Sequence, residues 1–308
     1  MCTSKWFEQG SILGPLLFLV MINDLQCKGA ALLYADDTTL RSFGQTPEEA
    51  LMEINVAYNN AHEWFKCNKF LLNEEKTQNL VFTLKRGYPV QNVNLLGFVL
   101  DSKLQWGEHI GNVCRKLSRV LYLMSRLRTM LPQTYLKSLY FALFHSHINY
   151  GLLAWGHASR SSDVLLLQKR ALRIIFFKKP IDTARPLFKE LSVLTVYSQY
   201  IYNGLLAVHV NRDSFTGQKS TSKNEKRSLG NLPVRFSRYS SSTNAFPIRH
   251  LKMYNDLPPD LKMLPVAAFG RSLKRILVDN PLYSLREWFL LDRGVFSLLD
   301  GVNDNNKK

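Results

Sequence analysis

The chain has 308 residues, 46% of them hydrophobic, and carries 40 Lys and Arg against 24 Asp and Glu, a formal charge of +16. The hydrophobic share excludes wholesale disorder, and the length allows two domains or one large one. Charge is uneven: residues 1–100 hold eight basic and ten acidic side chains, residues 101–308 hold 32 and 14, and a strongly basic segment attracts polyanions, nucleic acid first, with a solvated basic surface or anionic lipid as the alternatives.

Cys2, Cys27, Cys67 and Cys114 are widely spaced, with no C-x-x-C pair. That excludes a usual structural zinc site and a disulfide scaffold, and suits a reducing intracellular compartment. His145, His147 and His157 fall close together, but histidines in an aromatic helix usually pack or cap rather than bind metal.

In chain order, residues 9–26 predict a loop that turns into a helix. Gly10 permits a tight turn and close ligand approach, and Pro15 suits a first helical turn. The apolar run at 11–22 is too short to span a bilayer as a helix. Glu8 before it, the thin basic region at Lys5 and the missing cleavage pattern argue against a signal peptide. It reads as a helix buried behind the next element, and no other stretch suits a membrane span.

Residues 30–42 read as strand, acidic turn, strand. Leu32-Leu33-Tyr34 and Thr38-Thr39-Leu40 are β-formers flanking Ala35-Asp36-Asp37. Adjacent carboxylates repel and are tolerated at an exposed turn or against a cation. By themselves they fit a plain surface turn as well as a platform for a hard divalent ion. Residues 47–68 predict an amphipathic helix with Leu51, Ile54, Ala57, Ala61 and Phe65 on one side and Glu48, Glu49 and Glu53 near its start. Strands are predicted at 77–84 and 93–101, giving a helix on a small antiparallel sheet.

Beyond Trp106 the pattern turns helical. Val113, Leu117, Val120, Met124, Leu127 and Leu131 share one face. Arg115, Arg119, Tyr122 and Arg126 share the other, with no acid among them; three guanidinium groups and a phenol suit phosphate contacts and stacking, the alternative being an exposed face. A second basic helix is predicted at 163–177, with Lys169 and Arg173 four apart. Between the two helices, Tyr135, Leu139, Tyr140, Leu143, Phe144 and Ile148 predict core. Residues 211–242 read as a polar linker or loop, 267–278 as a basic helix, and 303–308 as a disordered tail.

Four segments carry a resemblance: Gln9-Gly10-Ser11-Ile12-Leu13-Gly14-Pro15, Tyr34-Ala35-Asp36-Asp37, Asn73-Glu74-Glu75-Lys76-Thr77, and Leu95-Leu96-Gly97-Phe98-Val99-Leu100-Asp101. In this order they resemble the reverse transcriptase of non-LTR, LINE-type retrotransposons, the jockey-like elements above all. The resemblance implies an α+β fold: a partial palm (a small antiparallel sheet with helices) over 1–104, then a mainly α-helical region. The latter comprises a thumb-like part at 105–210, the polar linker at 211–242 and a small basic C-terminal region at 243–308. It also implies that Asp36 and Asp37 are catalytic ligands of Mg²⁺, or of Mn²⁺ in its place. Gln9, Gly10, Ser11 and Tyr34 would shape the nucleotide pocket, Lys76 would belong to the next palm motif and Gly97 to the element gripping the primer. By their basic pattern, and apart from the resemblance, Arg115, Arg119, Tyr122, Arg126, Lys169 and Arg173 are expected to contact nucleic acid. RNA template, DNA primer and deoxynucleoside triphosphates are the implied partners, without a membrane, and a nuclear setting rests on the resemblance alone.

The family's first palm strand, with its other catalytic Asp, and the fingers region have no counterpart in the sequence, and Glu8 stands where the family has Pro. The chain therefore reads as the C-terminal part of a longer, N-terminally truncated element protein. Two expectations follow. One is RNA-directed DNA polymerase ancestry, inactive when the chain acts alone; the other is a catalytically dead remnant that binds nucleic acid through its basic helical half.

Overall fold

A computed structural model of the chain describes residues 12–25, 30–85, 88–216, 231–292 and 294–296. The chain divides into two compact units, Met1–Val93 and Asn94–Lys308. It is an α+β protein whose described strands form two separate antiparallel hairpins among helices.

In the first unit, α1 (Gly14–Ile22) starts with Pro15 in its first turn. β1 (Ala30–Tyr34) pairs with β2 (Asp37–Arg41), register Tyr34↔Asp37 through Ala30↔Arg41. α2 (Pro47–Cys67) begins at a reciprocal cap. The Thr46 hydroxyl accepts from the Glu49 N–H at 3.2 Å, and the Glu49 carboxylate accepts from the N–H of Thr46 at 3.4 Å and of Gln45 at 2.8 Å. Two donors left open by the helix end are thereby satisfied, and Pro47 gives up no bond at that position. A small core joins Ile22, Ala61, Phe65 and Phe70, with Phe18, Leu33, Leu40 and Trp64 packed against it. Trp64 stacks on Phe70 at 6.2 Å, and Phe18 meets the same ring edge-on.

Two expectations fail in this unit. Only Ile22 of α1 is fully buried, while Leu16, Leu17, Leu19 and Val20 are 45–67% exposed. A helix apolar all round needs cover on every side, and the elements of this unit cover the Phe18–Ile22 side alone. Nor do residues 77–84 form a strand. They carry no regular secondary structure, and Phe82 and Leu84 are exposed; a β-rich sequence gains little from extension without a neighbouring strand to take its backbone bonds.

β3 (Asn92–Leu95) runs across the boundary between the units in the chain, and β4 (Phe98–Asp101) follows, where one long strand is expected. The break lies at Leu96 and Gly97, with φ +48° and +80°. Positive φ at both central positions is what a two-residue type I′ hairpin turn requires. α3 (Gly107–Leu127) buries Ile110, Val113, Leu117, Leu121 and Met124 and packs on α7 (Ser161–Ile175). Between them run α4 (Gln133–Leu139), a π-helical turn at Tyr140–His145, α5 (Ser146–Asn149) and α6 (Leu152–Trp155). Leu136, Tyr140, Phe144 and Ile148 are all buried, whereas Tyr135 and Leu143 face outward. A spacing of four drifts off an α-helical face, and the wider π turn brings it back.

The remaining helices are α8 (Arg185–Glu190), α9 (Val196–Val210), α10 (Arg212–Thr216), α11 (Ser240–Asn244), α12 (Ile248–Asn255), α13 (Pro259–Lys262), α14 (Val266–Asp279) and α15 (Leu285–Leu290). α9 packs against both α12 and α14. Trp155, Tyr200, Phe188, Phe269 and Trp288 are among the fully buried rings of one continuous core. Buried Gln168 is satisfied: its amide donates to the Tyr140 hydroxyl at 2.8 Å and the Leu194 carbonyl at 2.9 Å, and its oxygen accepts from the Val196 N–H at 2.9 Å. Such a fully paired polar group holds three segments in one register.

Of the polar stretch at 211–242, residues 217–230 lie outside the described residues, as does the tail at 303–308. Leu232 is 2% exposed and exchanges two hydrogen bonds of 2.8 Å with the Asn255 side chain. Among the described residues no helix is long and apolar enough to cross a membrane.

Candidate functional site

The first candidate feature is the acidic turn. Tyr34 pairs with Asp37, so Ala35 and Asp36 are the whole loop of the β1–β2 hairpin. Ala35 takes φ +50°, a left-handed conformation that costs a residue with a Cβ about 1–2 kcal/mol. Strain of this kind persists only where the surrounding structure enforces it, here the closed two-residue loop. The loop leaves Tyr34, Asp36 and Asp37 exposed together at the tip. Lys76 lies elsewhere in this unit, in a 3₁₀ turn (Glu74–Lys76) capped by Asn73, whose side-chain oxygen accepts from the Lys76 N–H at 3.2 Å; its side chain is exposed. Gln9, Gly10 and Ser11, the other expected pocket residues, lie outside the described residues.

The fit to a metal is partial. Mg²⁺ is held by one or two carboxylates completed by substrate phosphates and water, and Asp36 with Asp37 can supply that share for one ion. A two-metal clamp needs further carboxylates. Among the described residues no group of three or more His, Cys, Asp or Glu could hold a metal.

The second feature lies in the other unit, where the β3–β4 hairpin meets the first half of α3. A cleft of about 390 Å³ is lined by Asn94, Gly97 and Val99 from the hairpin and by His109, Asn112, Arg115, Lys116 and Arg119 from the helix. Position 97 carries φ +80°, and a Cβ there would come within 3.6 Å of the Tyr150 ring. That distance is ordinary van der Waals contact, so the glycine serves the left-handed backbone of the turn rather than a close approach. Asp101, at the end of β4, is 7% exposed and accepts from the N–H groups of Lys103, Gln105 and Trp106 at 3.0, 2.9 and 2.7 Å. Its carboxylate is spent on aiming the chain into α3.

Arg115, Arg119, Tyr122 and Arg126 are all exposed on one side of α3, as their spacing predicts. Two turns before Arg115 the same side of α3 does hold an acid. Glu108 meets Arg115 at 3.0 Å, and Asn112 also accepts from that guanidinium. Both ions are exposed, so the pair is weak. Among the described residues Lys116, Arg119 and Arg126 make no ion pair. His109 is 4% exposed; its Nδ1 accepts from the Val99 N–H at 3.3 Å and its Nε2 has no partner. Burial, and then Lys116, hold its pKa below the ordinary value, so the ring fastens hairpin to helix as a neutral group. Asn112 and Lys116 were legible beforehand: 112, 115, 116 and 119 share a helical face.

Lys169 and Arg173 are engaged within the protein. The Lys169 ammonium sits 3.8 Å from the centre of the Tyr283 ring, with its pKa lowered by burial and by Arg173 and Arg185. The Arg173 Nε donates to the Asp182 carbonyl at 2.8 Å. His145 packs on Tyr140 and Phe141, and His157 on Tyr200.

Comparison with known proteins agrees with the motif reading. The chain is 30% identical over 223 residues to a probable RNA-directed DNA polymerase from transposon BS of Drosophila melanogaster, covering 62% of this chain and 24% of the relative. It is 24% identical over 215 residues to a probable RNA-directed DNA polymerase from transposon X-element of the same organism, again 62% and 24%. It is 26% identical over 195 residues to the RNA-directed DNA polymerase from mobile element jockey, 54% and 21%. The chain thus spans about a quarter of the length of these relatives. No protein-family profile matches it, and no solved structure does. The resemblance to jockey-like non-LTR retrotransposon reverse transcriptases, drawn above from four motifs, is borne out by these relatives.

Proposed function

We propose that this chain carries part of the reverse transcriptase domain of a non-LTR retrotransposon, and that the cleft beside α3 holds the phosphodiester backbone of its nucleic acid. The observation that carries the first half is the Tyr34–Asp37 hairpin, which presents two adjacent carboxylates at an exposed, strained tip, in a chain whose relatives are RNA-directed DNA polymerases. Asp36 and Asp37 would hold Mg²⁺, which when bound supplies charge stabilisation at phosphate oxygens. The substrates on this reading are an RNA template, a DNA primer and deoxynucleoside triphosphates. Arg115, Lys116 and Arg119 meet the backbone as point charges and forked donors, with Tyr122 and Arg126 extending the same face.

Two carboxylates do not make the two-metal clamp, so the 308 residues assayed alone are expected to bind primer–template without extending it. The test is Mg²⁺-dependent primer extension alongside a salt titration of primer–template affinity, with Asp36→Ala and Arg115→Ala/Arg119→Ala as variants. Affinity should fall with salt and the slope should flatten by about two in the arginine variant. A slope that is flat from the start would overturn the nucleic-acid face. Extension by the parent that vanishes in Asp36→Ala would overturn the inactivity and strengthen the ancestry.

A further inference from the structure

A second run of exposed arginines and rings lies far along the chain from α3. Between Leu232 and α11 the sequence reads Pro233-Val234-Arg235-Phe236-Ser237-Arg238-Tyr239, without regular secondary structure. Arg235 and Arg238 are exposed, Phe236 is 78% exposed and Tyr239 58%. Two large rings and two guanidinium groups thus alternate on one irregular stretch. From Asn231 to Asn255 the sequence contains four Lys or Arg and no acid, so the potential along it is of one sign.

The run is tied to the core at its start, and its far end closes on local bonds leading into α11, which packs on α12. The Asn255 side-chain amide bridges both backbone groups of Leu232, the buried Lys262 ammonium donates to Asn231 Oδ1 and to the Asn255 carbonyl, both at 2.9 Å, and Leu232 is sunk in the core. At the far end the Tyr239 carbonyl accepts from Thr243 at 3.0 Å as α11 begins, and the Tyr239 N–H donates to the Ser237 hydroxyl at 3.3 Å. Such anchoring lowers the ordering cost that a loose segment pays on binding. Phe236 and Tyr239 are three residues apart and so lie within ~11 Å of each other, close enough for neighbouring bases of one strand to reach both.

We propose that residues 235–239 are a stacking platform for single-stranded nucleic acid, distinct from the α3 cleft. Phe236 and Tyr239 take two unpaired bases on their faces, and Arg235 and Arg238 take the intervening phosphates. A duplex keeps its base faces stacked inside and offers the rings nothing, so unpaired strands are the fitting ligand. The proposal stands independently of the reverse transcriptase reading.

The experiment measures binding of the full chain to fluorescein-labelled 12-nucleotide rU and dU strands and to a blunt duplex by anisotropy across a salt series. Phe236→Ala/Tyr239→Ala should weaken single-strand binding about 10- to 100-fold at an unchanged salt slope, with the duplex little affected. Arg235→Ala/Arg238→Ala should flatten the single-strand slope by about 1.4. Arg115→Ala/Arg119→Ala should act mainly on the duplex, which separates failure of this platform from failure of the cleft. All six side chains are exposed, and unchanged thermal unfolding confirms that the variants fold. Single-strand affinity untouched by the aromatic variant, or lost only in the α3 variant, overturns the platform. The rU and dU arms show which sugar it takes.

Discussion

The Tyr150 hydroxyl donates to the carbonyl of Leu96, the first residue of the β3–β4 turn, from 54 positions away in the sequence. The same ring stacks on Phe98 at 5.1 Å and 20°. One side chain therefore fastens the turn that lines the basic cleft to the helical unit beneath it. Tyr150→Phe keeps the stack and deletes the hydroxyl, and should cost about 1 kcal/mol in urea unfolding. Tyr150→Ala removes both and should cost more. If the hairpin's placement matters to the cleft, primer–template affinity falls further in the alanine variant than in the phenylalanine one, although neither removes a charge.

Asp101 is the second fastening. Three backbone N–H groups converge on its carboxylate within five residues, and Trp106, the residue preceding α3, holds φ +62° among them. Asp101→Ala strands the buried Trp106 N–H and leaves the partly buried Lys103 and Gln105 donors without their acceptor. The expected loss is about 2–4 kcal/mol, since each charge-assisted bond contributes more than a neutral one and a buried unmet donor carries its own cost. Asp101→Asn keeps an acceptor oxygen and should recover part of the loss. A stability change under about 0.5 kcal/mol in the alanine variant would mean that the turn into α3 holds itself.

Much of this was legible in the chain because it follows from periodicity and turn chemistry. α2 lies within a residue of its expected ends, since Thr46, Pro47 and Glu49 spell a helix start. The buried and basic faces of α3 follow from 3.6-residue spacing, and the acidic hairpin from its flanks. What failed needed a partner the local pattern does not specify. The apolar run of α1 predicts burial without saying what would cover it, and the β-formers at 77–84 predict extension without supplying a neighbour. Leu96-Gly97 was in plain view as a turn signal, but the apolar residues on both sides read as one strand. Asp101 read only as the last residue of a motif, whereas its three bonds to following N–H groups depend on loop geometry that only the fold reveals.

Buried histidines should make the second unit acid-sensitive. His250 is fully buried beside Gly204, where any Cβ would collide with the ring, and its Nε2 lies 3.2 Å from the Tyr200 carbonyl. A carbonyl only accepts, so Nε2 carries the proton and Nδ1, which has no partner, is bare. Burial pushes the pKa down to about 4, and Arg249 and His157 nearby also oppose a second proton. Burial lowers His145, His157 and His209 in the same direction. The folded pKa is depressed, so the stability is fully present above the ordinary value near 6.5. Below that the unfolded chain takes up protons the folded one refuses, and stability is lost as pH falls from about 6.5 toward 4. For His250 alone the loss is on the order of 3 kcal/mol. Urea midpoints measured from pH 8 to pH 4.5 should decline below about 6.5, and His250→Leu should shrink that decline by about one proton. A pH-independent midpoint would show that water reaches these rings.

The apolar outer face of α1 gives the last expectation. Leu16 and Val20 are 58% and 67% exposed, while Ile22, on the side of Phe18 and Phe70, is 4% exposed. Burial decides cost: a side chain that leaves water on neither side of the folding transition contributes little to it. Leu16→Lys/Val20→Glu should therefore change stability by less than about 0.5 kcal/mol, against roughly 2–5 kcal/mol for Ile22→Ala. The double variant also breaks a contiguous apolar patch, which should raise solubility and lower binding of a hydrophobic dye. Limited proteolysis of residues 12–85 reads the outcome directly. If the charged pair exposes cleavage sites as readily as Ile22→Ala does, α1 is buried on all sides, as its uninterrupted apolar sequence suggests, and the outer face described above is not a surface.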